Sequence, residues 1–226
     1  MELMLLRHAQ PAWSVGQEAQ VDPGLTDLGR RQAELAADRL AGIHLDEVLV
    51  STATRARQTA APLLDRLPDR ATASRAWLHE IRTPDAWQGS PSEEVERVFR
   101  DARHRPRDAW WEGIDGGETF RDFHARVTDG LSLELAQRGI ERDDDGLWHL
   151  PESTPERILM VAHAGTNSVV LGHLLGLDPE PWEWERFALD HASITVLRSV
   201  PIAGEHIVSL QSFSDVGHLP PELISA

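Results

Sequence analysis

The sequence predicts an α/β protein: a three-layer α/β/α sandwich with a mostly parallel sheet and a helical cap insertion at about residues 82–150. Three observations predict it. Residues 3–6 (Leu-Met-Leu-Leu) and 158–162 (Ile-Leu-Met-Val-Ala) are short continuous apolar runs, the pattern of strands covered on both faces by helices. A helical pattern follows each of the clear runs, so strands alternate with helices. The middle of the chain, by contrast, is acidic, helix-rich and Trp-bearing (Trp87, Trp110, Trp111, Trp148) and shows no buried strand.

The elements follow in order. After the strand at 3–6, Thr26 or Asp27 caps a helix through Leu28, Gln32, Leu35, Ala36 and Leu40, and Gly42 stops it. Val48-Leu49-Val50 is a second buried strand. Ser51-Thr52 supplies cap material for a helix from Arg55 to Leu67, which Pro62 should kink or shorten. Residues 71–78 form a weakly patterned third strand. The middle stretch reads either as solvated helices whose Trp residues make a satellite core, or as a cap with some Trp lining a cleft. The run at 158–162 precedes a helix from Thr166 to Leu175, stopped by Gly176. Residues 194–200 and 207–213 face each other across 201–205 as a hairpin. With no repeat or flexible linker, residues 1–226 read as one domain carrying one insertion.

Composition narrows the function classes. Acidic residues outnumber basic ones 37 to 22, giving a net charge of −15. That field repels nucleic-acid backbones and anionic membranes. All 22 basic residues are Arg, and Cys is absent, which excludes thiolate catalysis and Cys-bound zinc. Residues 1–7 lack a basic leader segment and no apolar run reaches a membrane span, so a cytoplasmic location is expected. Nucleotide-binding glycine motifs, the G-x-S-x-G elbow and H-E-x-x-H are missing, and no His pair has the helical spacing of a zinc site.

What remains sits at the ends of the expected strands, where parallel sheets place their sites. Arg7-His8 follows the first strand. About one Arg-His pair is expected by chance in this composition, so position rather than the dipeptide carries the signal. Arg55 lies one turn into the helix after the second strand, and His163 ends the strand at 158–162, ahead of a helix N-terminus. Two His, two Arg and a helix N-terminus describe a site for a tetrahedral dianion, whose oxygens guanidinium forks grip bidentately.

Six ordered segments resemble the histidine phosphatase superfamily, the group that includes cofactor-dependent phosphoglycerate mutase. They are Arg7-His8-Ala9-Gln10, Leu25-Thr26-Asp27-Leu28-Gly29-Arg30-Arg31-Gln32-Ala33, the run from Ser51 to Ala60, Leu78-His79-Glu80, Gly116-Gly117-Glu118-Thr119, and Val161-Ala162-His163-Ala164-Gly165. The resemblance implies a phosphomonoester hydrolase. His8 is its nucleophile, forming a phosphohistidine, while Arg7, Arg55 and His163 hold the phosphoryl oxygens. Glu80 protonates the leaving alkoxide and later takes a proton from water. Gln10, Ser14, Thr26 and Ala164 are the expected substrate contacts. No metal and no cofactor are expected. Expected partners are a small phosphorylated metabolite and a possible homodimer.

The departures set the alternatives. Ala9 and Ala164 stand where the family usually has Gly, and each would be strained if its position needed φ > 0. Ser14 and His191 stand where Asn is common. Around the acid, Glu80-Ile81-Arg82-Thr83-Pro84 differs from the mutase pattern Glu-Arg-His-Tyr-Gly, which favours hydrolysis over a mutase. The acid-phosphatase branch, with Asp after the second His, is disfavoured by Ala164. The two Ala departures alone support a catalytically weak relative that only binds phospho-ligands. Trp87, Trp110 and Trp111 hint at an apolar or ring-bearing substrate.

Overall fold

A computed structural model describes residues 1–226. Strand β1 (Glu2–Arg7) leads into a small ribbon of β2 (Ser14–Val15) and β3 (Glu18–Ala19), then α1 (Asp27–Ala41), β4 (Glu47–Ser51), α2 (Thr54–Arg66) and β5 (Ala71–Arg75). The middle stretch holds α3 (Ser92–Ala102), α4 (Arg107–Trp110), α5 (Phe120–Ala136), β6 (Glu141–Arg142) and β7 (Trp148–His149). After it come β8 (Arg157–Ala162), α6 (Ala164–Leu174), α7 (Glu183–Arg186), β9 (Ile194–Ile202) and β10 (Glu205–Asp215). No helix is long and apolar enough to cross a membrane.

One eight-stranded sheet runs in the order β5-β4-β8-β1-β9-β10-β7-β6. Its first four strands are parallel and the rest antiparallel. Side chains alternate across a strand, and two core clusters follow. Leu3, Leu5, Leu49, Ile158 and Met160 pack under α5 and α6. Met4, Leu6, Val48, Val50, Leu159 and Val161 pack under α1 and α2. This is the three-layer arrangement, and the continuous apolar runs are strands covered on both sides.

Several local expectations change. Residues 82–150 are not one cap. Phe120, Phe123, Val127, Leu131 and Leu135 make α5 a fully buried helix of the main core, and Trp148 joins the same cluster. The stretch also adds two short strands at the antiparallel edge. Only α3 and the one-turn α4 have the character of cap helices, with no buried residue. The Trp residues do not share a satellite core: Trp87 meets Phe99, Trp110 meets Trp182, and Trp111 meets Phe120. Residues 71–75 are an edge strand with largely exposed side chains, which is why their periodicity is weak. Pro62 lies inside α2 without ending it. The hairpin turns tightly at Ala203 and Gly204, both with positive φ, the two-residue geometry that matches strand twist.

Helix caps differ in a way that bears on the site. Thr26 caps α1 as expected, accepting from the Gly29 N–H at 2.9 Å. At α2 the cap position is Ala53, which offers no side-chain bond. Asp22 supplies the cap from a remote loop, taking the Thr54 N–H at 2.9 Å and its hydroxyl at 2.7 Å. At α6, His163 occupies the cap position without capping, and the Glu80 carboxylate accepts the Gly165 N–H instead. Both helices at the sheet's C-terminal edge are thus capped by distant carboxylates. Ser51 and His163 are left free for other bonds.

Candidate active site

Strands β4, β8 and β1 are neighbours, so residues just beyond their C-terminal ends emerge side by side. His8 is buried, and its Nδ1–H donates to the Ala9 carbonyl at 2.8 Å. That bond leaves Nε2 with a lone pair. Burial, with the Arg55 cation nearby, pushes the ring well below the ordinary His value, so it is neutral. The His163 ring stands edge-on at 5.0 Å between centroids, and the His191 ring lies at 5.7 Å.

Around His8 lies a set of buried N–H donors with no partner in the protein. Arg55 is 2% exposed, and both its Nε and one Nη lack a hydrogen bond. The Asp22 carboxylate is 3.6 Å from that Nη, beyond hydrogen-bond range. The Trp13 ring covers the same guanidinium at 4.7 Å. Arg7 donates one Nη to the Leu189 carbonyl and the other to His191 Nε2 at 3.0 Å, while its Nε is buried and unpaired. His163 Nε2 bonds the Ser51 hydroxyl at 2.8 Å, and Nδ1 is unpaired. Ser51 Oγ also accepts the Ala53 N–H; with the Ser51 proton given to His163 Nε2, Nδ1 carries the ring proton and is the unpaired donor. Burial, then Arg55 and His8, hold His163 neutral as well. An unpaired buried polar group costs about 1–3 kcal/mol. Four of them gathered round one imidazole are a cradle for a multiply charged anion.

Glu80 reaches the cradle from the turn after β5. One carboxylate oxygen accepts the Ile81 N–H at 3.0 Å and the other the Gly165 N–H at 2.9 Å. A Cβ at position 165 would lie 2.5 Å from a Glu80 oxygen, so this approach requires Gly. The Gly116-Gly117-Glu118 turn acts on the same segment. Glu118 holds Arg126 in a bidentate pair, both contacts 2.8 Å, and Arg126 donates to the carbonyls of Trp77, His79 and Glu80.

The remaining expected contacts divide. Thr26 donates to Gln10 Oε1 at 2.7 Å, which fixes the amide with its NH₂ free. Thr26 is therefore a cap and a brace for Gln10. A Cβ at Gly29 would lie 2.2 Å from the Gln10 carbonyl, and Gln32 Oε1 accepts the Gln10 N–H at 2.8 Å. The structure does not bring Ser14 to the cradle: it is exposed on the β2–β3 ribbon, bonded to Ser92 at 2.7 Å. Ala164 is the first residue of α6, beside His163. Neither Ala9 nor Ala164 has positive φ, so the substituted methyls bring no backbone strain. Trp13, rather than Trp87, Trp110 or Trp111, is the indole that touches a site residue.

Sequence reasoning passed over Asp22, Ser51 as a His163 partner, Gln32, Arg126 and the Arg7–His191 bond. Gln32 and Arg126 act through contacts to segments far away in sequence, and nothing local marks them. No group of three or more His, Asp or Glu side chains is placed to hold a metal ion.

Comparison with known proteins identifies the family. The family model for the histidine phosphatase superfamily (branch 1) matches residues 3–205. Glucosyl-3-phosphoglycerate phosphatase of Mycolicibacterium vanbaalenii is 33% identical over 183 residues, covering 80% of this chain and 76% of that protein. A 2,3-bisphosphoglycerate-dependent phosphoglycerate mutase of Methylobacterium sp. (strain 4-46) is 30% identical over 184 residues, covering 79% and 82%. The structure of a mycobacterial glucosyl-3-phosphoglycerate phosphatase with VO3 superimposes with a TM-score of 0.69 at 27% identity, covering 94% of this chain and 98% of that one. A neutral, buried imidazole among unpaired guanidinium donors, on a fold and sequence shared with these proteins, makes this chain a member of the histidine phosphatase superfamily.

Proposed function

We propose that the protein hydrolyses the phosphomonoester of a small phosphorylated metabolite through a phosphohistidine at His8. The observation that carries this reading is the free Nε2 of neutral His8 among the unpaired donors of Arg7, Arg55 and His163. A phosphate dianion placed there would pair all four donors and meet the buried Arg55 and half-buried Arg7 cations. Nε2 attacks phosphorus in line and the ester P–O bond breaks. Glu80 delivers its proton to the departing alkoxide, and the alcohol leaves. The Glu80 carboxylate then takes a proton from water, whose oxygen attacks phosphorus, returning His8 and releasing phosphate. The donors are fixed before charge develops, which is the main source of rate in phosphoryl transfer.

Gln10 supplies a further donor through its free NH₂. A separate cavity of about 370 Å³ is lined by Arg82, Thr83, Asp85, Gly116, Gly117, Glu118 and Asp122, none of them a cradle residue. A mutase needs basic groups to grip a second phosphate. Of the Arg residues on and after α3, Arg103 and Arg107 pair with Glu185 and Glu180 and Arg105 donates to backbone, while Arg97 and Arg100 form no ion pair.

The test is phosphate release from a panel of phosphomonoesters in EDTA, with wild type and His8→Ala. The expected result is hydrolysis by wild type alone. Isomerisation of 3-phosphoglycerate without phosphate release would favour the mutase, and activity surviving in His8→Ala would exclude the nucleophile.

A further inference from the structure

Arg7 is aimed by a bond to a His whose tautomer must itself be set. Arg7 Nη2 is only a donor, so His191 Nε2, 3.0 Å away, has to accept. A neutral ring then carries its proton on Nδ1, which lies 3.0 Å from the Ser225 hydroxyl. The ring stays neutral because burial, with the Arg7 charge beside it, lowers it to about 3. The same hydroxyl is 3.0 Å from Gln32 Nε2. Gln32 is oriented independently, because its Oε1 accepts the Gln10 backbone N–H. Both of its neighbours thus present N–H groups to Ser225, and Oγ accepts two hydrogen bonds. A backbone bond from the His191 N–H to the Ser225 carbonyl, 2.8 Å, holds the two residues together.

We propose that Ser225 is a positioning residue: its hydroxyl accepts the His191 Nδ1–H and so reinforces the tautomer in which Nε2 accepts from Arg7 and the Arg7 Nε–H stays turned into the phosphate cradle. In the other tautomer an Nε2–H would face the Arg7 N–H, and the guanidinium would have to move. Having His at position 191 creates this need, because an amide oxygen there would accept from Arg without a tautomer to choose. Gln32 keeps the Leu223 carbonyl, 2.7 Å away, when Ser225 loses its hydroxyl, so the Gln10 side of the cradle survives. The proposal rests on the hydrolase reading for the role of Arg7, but two of its readouts do not need turnover.

Ser225→Ala and Ser225→Thr are compared with wild type by ¹⁵N NMR of the His191 ring, by vanadate affinity and by kcat/KM on a phosphomonoester. Wild type should show protonated Nδ1 and unprotonated Nε2. Ser225→Ala should mix the tautomers, bind vanadate about tenfold more weakly and lose about tenfold in kcat/KM, while Ser225→Thr restores all three. A protonated Nε2 in wild type would overturn the proposal. So would Ser225→Ala with unchanged vanadate affinity, or weakened affinity with an unchanged tautomer. If wild type hydrolyses nothing, the hydrolase reading fails, while the tautomer and vanadate results still decide this one.

Discussion

Substituting Gly165 by Ala should leave the protein folded and remove most of its activity on poor leaving groups. The new Cβ would sit 2.5 Å from a Glu80 oxygen, where ordinary contact begins at 3.4 Å. The carboxylate must retreat by about 0.9 Å and give up the Gly165 N–H, its 2.9 Å donor. That bond is worth about 1 kcal/mol net. Replacing Gly by Ala inside a helix returns about the same amount, so stability should change by less than about 1 kcal/mol. Catalysis has no such offset. A displacement of roughly 1 Å in a reacting group costs on the order of 10² in rate, within the 10²–10⁴ that a general acid supplies. The assay compares an alkyl phosphate, which needs its leaving oxygen protonated, with p-nitrophenyl phosphate, which does not. The alkyl phosphate should lose about 100-fold in kcat/KM and the aryl ester less than about tenfold. Equal losses on both substrates, or none, would refute Glu80 as the acid held by Gly165.

Other expectations follow from the same geometry. Gly29→Ala forces a Cβ to 2.2 Å from the Gln10 backbone carbonyl, which cannot step aside like a side chain; urea denaturation should show a loss of about 2–3 kcal/mol. Arg55→Lys replaces a planar fork beneath Trp13 with a point charge and should lower kcat/KM about 100-fold, with Tm little changed. His191 is neutral in the fold, faced by Arg7 and the His8 ring, and its value is lowered to about 3. Below pH 6.5 the unfolded chain binds a proton that the folded chain refuses, so stability falls as pH drops from 6.5 towards 3. His191→Gln should flatten that slope by about 1.4 kcal/mol per pH unit between pH 6 and 4, measured by denaturation at each pH. An unchanged slope would mean that His191 takes up a proton as readily in the fold as out of it.

The central residues were legible because they lie beside strong local signals. Arg7-His8 and His163 end apolar runs that could only be buried strands, and Arg55 stands in the first turn after another. Glu80 was different: no local physical signal marks it, and its edge strand is largely exposed, so only the family resemblance pointed there. The role of α5 was misjudged although its stripe of Phe120, Phe123, Val127, Leu131 and Leu135 has helical core spacing. The acidic surroundings and conspicuous Trp residues drew the reading towards a solvated cap. The supports were invisible for a topological reason. Gln32 meets Leu223, Ser51 meets His163, and Asp22 caps α2, through contacts between segments that only the folded sheet brings together. The Thr26–Gly29–Gln32 spacing was recognised as a motif, but its purpose, bracing the Gln10 loop, appears only once that loop is seen against the helix.

The most direct test of the account is to trap the intermediate. Wild type mixed with ³²P-labelled phosphomonoester, quenched within a turnover and digested, should yield label on the peptide bearing His8, stable in alkali and lost in acid. His8→Ala should carry none. Label on another residue, or hydrolysis with no phosphoenzyme at the shortest times while release is fast, would contradict nucleophilic attack by His8.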